Sequence, residues 1–175
     1  MENLKQIISE KAIKQRVEEI AKEISATFEG EVPILVSVLN GSFIFASDLL
    51  RALKVDCEID FIKVSTYSGN KSKGIIDFQK DISAEISNRH VIIVEDIIDS
   101  GLTVKFIRER FINFEPKSIR IATLLMKPDV AKIDFEVNWV GFEIPPDYVV
   151  GYGLDYNQKF RNLRGIYILG GNNYE

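Results

Sequence analysis

Near the start of the chain, Ile13, Val17, Ile20 and Ile24 recur at spacings of three and four, with charged residues between them. That spacing predicts a helix with one apolar stripe. Pro33 then precedes a short apolar run from Ile34 to Leu39, interrupted only by Ser37. Its length and branched residues predict a buried strand. Asn40-Gly41-Ser42 breaks the run, and Phe43 to Leu53 is again helical in pattern. Cys57 to Tyr67 reads as a strand. Ser68 to Gly74 is polar and holds two glycines and two lysines, which predicts a mobile loop. A returning strand is expected over Ile75 to Ile82. Val91 to Val94 is a second short buried strand, followed by a turn rich in Asp and Gly. Val104, Ile107, Phe111 and Phe114 mark the next helix, and Ser118 to Met126 a third central strand. After Lys127-Pro128 the pattern shortens into strands and loops, with Gly165 to Leu169 as a last strand.

Strands alternating with helices through residue 126 predict one α/β domain over residues 1–175 with a largely parallel sheet. In such sheets ligands sit beyond the carboxyl ends of the strands. The residues after Leu39, Val94 and Met126 are therefore the places to look for chemistry.

Composition narrows the class. The chain has 175 residues, 46% hydrophobic and 27% charged, an ordinary globular balance. A net charge of -4 argues against a non-specific nucleic-acid binder, which would be basic. Cys57 is the one cysteine, so no intrachain disulfide is expected. The first residues lack a secretory pattern, and no apolar stretch approaches the ~18 residues of a membrane span. These features point to the cytoplasm.

The richest segment is Val91-Ile92-Ile93-Val94-Glu95-Asp96-Ile97-Ile98-Asp99-Ser100-Gly101-Leu102-Thr103. A buried strand ends in two adjacent carboxylates, and a turn of small hydroxyl residues opens a helix. Backbone N–H groups at a helix start are unpaired, and the helix dipole favours an anion there. Ser100 and Thr103 add hydroxyls, and Gly101 permits close approach. Neither a Walker A loop nor a dinucleotide fingerprint is present. Glu95 and Asp96 would repel a bare phosphate. They make sense if they accept from sugar hydroxyls or face Mg²⁺. The plain alternative is Asp and Ser capping a helix.

Glu95-Asp96-Ile97-Ile98-Asp99-Ser100-Gly101-Leu102-Thr103 resembles the phosphoribosyl-pyrophosphate motif of type I phosphoribosyltransferases, in the form typical of hypoxanthine-guanine phosphoribosyltransferases. Leu39-Asn40-Gly41-Ser42-Phe43 resembles the pyrophosphate loop of that family, and Ser65-Thr66-Tyr67 the start of its flexible loop. Val140 to Pro145 and Val149 to Tyr156 resemble its base-binding region. The similarity runs in the family's order from about residue 34 to about residue 169.

The resemblance implies the type I phosphoribosyltransferase fold, with a central sheet flanked by helices and a small hood of strands and loops for the base. It implies a reaction in which a 6-oxopurine attacks C1′ of phosphoribosyl pyrophosphate, releasing a nucleoside monophosphate and pyrophosphate. By this likeness Asp99 is the general base at purine N7. Glu95 and Asp96 meet the ribose hydroxyls and support Mg²⁺, the expected cofactor. Ser100, Gly101, Leu102 and Thr103 cradle the 5′-phosphate, while Asn40, Gly41 and Arg161 face pyrophosphate. Lys127 donates to the purine O6, which selects against adenine. Tyr148 stacks on the base, the Val149 carbonyl reaches its edge, and Asp155 is a further base-side residue and Mg²⁺ ligand. A homo-oligomer, dimer or tetramer, is implied as well, with the first helix a candidate for its interface.

Asn40 departs from the basic residue found before Gly in one form of the pyrophosphate loop. The family's non-proline cis peptide would fall between Asn40 and Gly41. The 68–74 segment resembles a closing lid. His90, Trp139 and Cys57 read as structural rather than catalytic. A reading from another class remains on the residues alone: a regulator of the same fold that senses phosphoribosyl pyrophosphate and binds nucleic acid. A preference for xanthine or guanine would turn on contacts around Tyr148, Val149 and Asp155.

Overall fold

The structure is a computed structural model of the chain, and it describes residues 3–69 and 72–170. Its elements in order are β1 (Asn3–Ile8), α1 (Glu10–Thr27), β2 (Ile34–Leu39), α2 (Phe43–Ala52), β3 (Glu58–Gly69) and β4 (Ser72–Lys80). There follow β5 (His90–Ile98), α3 (Leu102–Ile112), β6 (Ser118–Met126), β7 (Trp139–Glu143), β8 (Val149–Val150) and β9 (Ile166–Gly170). A six-stranded sheet has the order β4-β3-β2-β5-β6-β7. All its neighbours run parallel except β4, which is antiparallel to β3. A second sheet of three strands has the order β1-β9-β8 and is antiparallel throughout.

The apolar runs are nearly continuous because both faces of the large sheet are covered. Leu35, Ile92, Val94 and Leu124 pack on one face with Ile13, Ile20 and Ile24 of α1 and Phe45 and Leu49 of α2. Ile34, Val36, Val91 and Ile93 pack on the other with Val104, Ile107 and Phe111 of α3. Ser9 starts α1, its hydroxyl accepting from the Ala12 N–H at 3.2 Å. The α1 stripe is fully buried in this core, so it stabilises the subunit and is not free to form an interface.

Four expectations change. The carboxylates Glu95 and Asp96 lie inside β5, which runs on to Ile98, so the turn begins later. Ladder bonds need only backbone groups, so polar residues did not end the strand. Phe114 lies beyond α3 and is exposed. Most of the segment expected as a mobile loop belongs to the ladder between β3 and β4; residues 70 and 71 lie outside the described residues. β1 was not foreseen, because its partner is β9 at the other end of the fold.

Candidate active site

Parallel pairing brings the carboxyl ends of β2, β5 and β6 to one edge of the sheet. The loop after β2 is fixed from below by two buried hydroxyls. Ser42 donates to the Val38 carbonyl at 2.6 Å, so Ser37 is the donor across the 2.7 Å contact between them. The cis peptide of this loop joins Leu39 and Asn40, one residue earlier than expected. Gly41 has a different reason to be glycine: a Cβ there would fall 1.5 Å from the Asp96 Oδ2. A Cβ on Gly153 would likewise fall 2.0 Å from the Gly41 carbonyl oxygen. The loop is thus held between the end of β5 and the segment that follows β8.

Asp96 is buried, and its carboxyl is pushed up to about 6, first by burial and in lesser part by Asp155. The Ile97 N–H, donating to Oδ1 at 2.9 Å, and the charge of Arg161 pull the other way. Glu95 is 6% exposed, and its Oε2 is the one buried side-chain polar atom without a hydrogen-bond partner among the described residues. Burial, and then its neighbour Asp96, raise its carboxyl well above the usual range. A buried acceptor left open is costly unless a ligand completes it.

The turn from Asp99 to Gly101 closes the site on the other side. Gly101 has φ 83°, and a Cβ on it would meet Ile133 Cγ2 at 2.2 Å. The N-cap of α3 is Gly101, which has no side chain to cap it, and among the described residues Asp99 makes no hydrogen bond to the helix start. Only a long 3.4 Å contact runs from the Leu102 N–H to the Ser100 hydroxyl. Leu102 turns an apolar side chain to solvent, so its polar group for a ligand is the backbone N–H, with Thr103 one position further on.

Beyond β6, the Lys127 N–H donates to the Ile98 carbonyl at 2.9 Å, and the Lys132 N–H to that of Ser100 at 3.1 Å. These bonds lay the 127–133 loop on the turn. Lys127 is 7% exposed, and its Nζ lies 3.1 Å from Asp99 Oδ2. Lys127 is thus a buried, paired lysine and not a solvated one.

The remaining predicted residues stand in the hood. Arg161 Nη2 pairs with Asp155 Oδ1 at 2.8 Å, and Nη1 donates to the Gly153 carbonyl at 2.8 Å. Tyr148 is 48% exposed, with its ring edge-on to Tyr156 and its hydroxyl donating to the Asp155 carbonyl at 2.9 Å. Val149 is buried in β8, so only its backbone can meet a ligand. Asn40 is exposed at the loop tip. Outside the site, His90 meets the Ser118 hydroxyl at 2.6 Å and the edge of Phe28, Trp139 is core, and Cys57 is half-buried. Gly153 was read from the sequence only as part of the 149–156 base-binding segment, not as a contact of the loop after β2, and Ile133 was not singled out at all. A tyrosine between two glycines at Gly151-Tyr152-Gly153 was the available signal for the first, and Ile133 gave none.

The chain matches the model of the phosphoribosyl transferase domain over residues 3–157. It is 41% identical over 168 residues to a hypoxanthine-guanine phosphoribosyltransferase of Aquifex aeolicus (strain VF5), covering 95% of this chain and 94% of that one. A crystal structure of a hypoxanthine-guanine phosphoribosyltransferase from Bacillus anthracis, with HEPES in its active site, superposes with TM-score 0.91 and 43% identity, over 96% of this chain and 100% of that one. The hypoxanthine phosphoribosyltransferase of Trypanosoma cruzi in complex with IMP superposes with TM-score 0.90 and 35% identity, over 99% and 97%.

Proposed function

The chain belongs to the phosphoribosyl transferase domain family, among its hypoxanthine-guanine phosphoribosyltransferases, and from that premise we propose how its residues divide the reaction. The enzyme is a purine-salvage pentosyltransferase that converts hypoxanthine or guanine plus phosphoribosyl pyrophosphate to IMP or GMP plus pyrophosphate. The observation that carries the division is the pairing of buried Lys127 with Asp99. Lys127 moves its ammonium from Asp99 to the purine O6. That exchange frees Asp99 to take the N7 proton as N9 bonds to C1′. An exocyclic amine at C6 offers Lys127 a donor instead of an acceptor, so adenine is rejected.

Phosphoribosyl pyrophosphate lies across the mouth of the sheet. Ser100, Gly101, Leu102 and Thr103 hold its 5′-phosphate, chiefly by backbone N–H groups at the start of α3. Glu95 and Asp96 accept from the ribose hydroxyls, and their charge favours the cationic sugar of the transition state. Asn40, Gly41 and Arg161 receive the pyrophosphate. Tyr148 stacks on the base, and the Val149 carbonyl meets its edge.

The donor set fits Mg²⁺, which takes one or two carboxylates and completes its shell with substrate oxygens and water. Asp96 and Asp155 interact closely enough for one to raise the carboxyl of the other, and Glu95 has an open oxygen. No group of three or more candidate ligands stands together among the described residues, so the substrate would have to supply part of the shell. Bound there, Mg²⁺ would neutralise charge on the departing pyrophosphate. We also read the enzyme as a cytoplasmic homo-oligomer, a dimer or tetramer, that uses neither nucleic acid nor membrane. No described helix is long and apolar enough to cross a bilayer.

The test is turnover with Mg²⁺, phosphoribosyl pyrophosphate and each of hypoxanthine, guanine, xanthine and adenine. Hypoxanthine or guanine should react and adenine should not. Asp99→Asn should lower kcat by roughly 10²–10⁴-fold. Normal kcat in Asp99→Asn would remove the general base while leaving the reaction in place.

A further inference from the structure

Tyr152 is buried, yet its hydroxyl leaves the hood and donates to Asp48 Oδ2 on α2 at 2.6 Å. Burial, and then the Asp48 carboxylate, raise the phenol far above its ordinary value. It therefore remains a donor at any working pH. Asp48 belongs to the helix that leads out of the 39–42 loop. The bond thus joins the element that follows that loop to the turn that packs on it.

That turn has one backbone position that disfavours its residue, Tyr152. Gly151, Tyr152 and Gly153 have φ of 104°, 48° and 105° in succession. The two glycines adopt positive φ freely, so the cost falls on Tyr152, a bulky residue held in the left-handed region by its surroundings. Four backbone bonds hold the turn from its own side: Gly151 and Leu154 exchange a pair at 3.0 and 3.1 Å, the Tyr152 N–H donates to the Leu163 carbonyl at 2.8 Å and the Gly153 N–H to that of Arg161 at 3.0 Å. Tyr152 supplies the hold from the opposite side. Between them Gly153 is pressed on the Gly41 carbonyl, and Gly41 on Asp96.

We propose that Tyr152 and Asp48 form a positioning clamp that sets the 39–41 loop for phosphoribosyl pyrophosphate and pyrophosphate, without touching either. The inference rests on the reading of that loop as the pyrophosphate site. Its signature is selective. Loss of the clamp loosens the loop on its hood side but leaves Lys127, Tyr148 and Val149 in place. Binding of the phosphorylated substrates weakens, and binding of the base does not. A tyrosine that served only to fill the core would affect both substrates together or only the melting temperature.

The experiment uses the full chain with Mg²⁺ and measures KM for phosphoribosyl pyrophosphate, for hypoxanthine and, in the reverse direction, for pyrophosphate. Tyr152→Phe keeps the ring and removes the donor. The Asp48 side chain is 44% exposed, so water can satisfy it and the variant should fold; a circular-dichroism melt checks this. Tyr152→Phe and Asp48→Ala should each raise KM for phosphoribosyl pyrophosphate and pyrophosphate by roughly tenfold, the scale of one hydrogen bond to a charged group. KM for hypoxanthine should hold. The double variant should be no worse than either single one. Asp48→Asn keeps an acceptor oxygen and should restore most of the affinity. Gly41→Ala, run alongside, tests the loop itself. If it raises KM for phosphoribosyl pyrophosphate while Tyr152→Phe changes nothing, or moves both substrates equally, the clamp is wrong. If Gly41→Ala is also without effect, the loop is not the pyrophosphate site, and the clamp falls with that assignment.

Discussion

Asp96 is held where ionisation is expensive, and that gives the free enzyme a pH dependence. Its carboxyl has an ordinary value of 3.8 and about 6 in the fold. Between those values the folded chain binds more protons than the unfolded one, so stability falls as pH rises. The loss is absent below pH 3.8 and complete above about 6, where it amounts to about 3 kcal/mol. Asp96→Asn mimics the protonated form. Without Mg²⁺ or substrate its stability advantage over the parent, measured by urea unfolding, should grow from pH 4 to pH 7. A constant difference would mean that Asp96 ionises normally in the fold. At the same scale, Lys127→Ala should raise KM for hypoxanthine by roughly 10–100-fold, the range for a lost charged hydrogen bond. Discrimination against adenine should fall with it. The two residues were legible in different degrees. Asp99 stood in a motif, whereas Lys127 followed a strand like any solvated lysine until the resemblance singled it out. Its burial against Asp99 arises from the bond between the Lys127 N–H and the Ile98 carbonyl, a tertiary fact with no local signal.

At the scale of the element, the central strands were readable because burial on both faces leaves an unmixed apolar run. β6 fell on the expected residues, 118–126. α3 was marked by Val104, Ile107 and Phe111, all buried. Phe114 continued the spacing but lies beyond the helix, because apolar spacing does not by itself locate a helix end. β1 was hidden for the opposite reason: a short segment next to a strong helix shows no partner within reach. The start of α3 also carries a prediction. Gly101→Ala adds a Cβ in a left-handed position and against Ile133. It should cost about 1–2 kcal/mol from backbone strain alone and raise KM for phosphoribosyl pyrophosphate. Ile133→Ala added to it should recover part of the loss in a denaturation series; a lack of recovery would locate the strain in the backbone. In α1, Ile20→Ala removes a fully buried side chain and should cost about 2–5 kcal/mol of stability, with kcat unchanged where the protein remains folded.

For the whole molecule, the site is a junction of three parts that are remote in the chain: the loop after β2, the ends of β5 and β6, and the hood. Ligand binding should therefore stabilise the assembly as a unit. At 100 times its Kd, phosphoribosyl pyrophosphate with Mg²⁺ should add about 2.7 kcal/mol, read as a rise in melting temperature. Asp96→Asn should abolish most of the Mg²⁺-dependent part. A rise that persists in that variant would place the metal elsewhere. The architecture of the large sheet was legible in the alternation of strand and helix. The contacts at Gly41, Asp96 and Gly153 were not, because close approach of three backbones is set by how the layers meet.

The small sheet has a consequence in time. Leu4 pairs with Leu169, so its hydrogen bonds close a loop of about 165 residues. Everything from β2 to β7 can join through nearer partners, and closure over so long a span is slow. The 5′-phosphate turn at Ser100 to Thr103 is therefore expected to take shape first, and the hood, with its pyrophosphate and purine contacts, to seat last. A refolding chain should hold a sugar 5′-phosphate before it can grip pyrophosphate or tell one base from another.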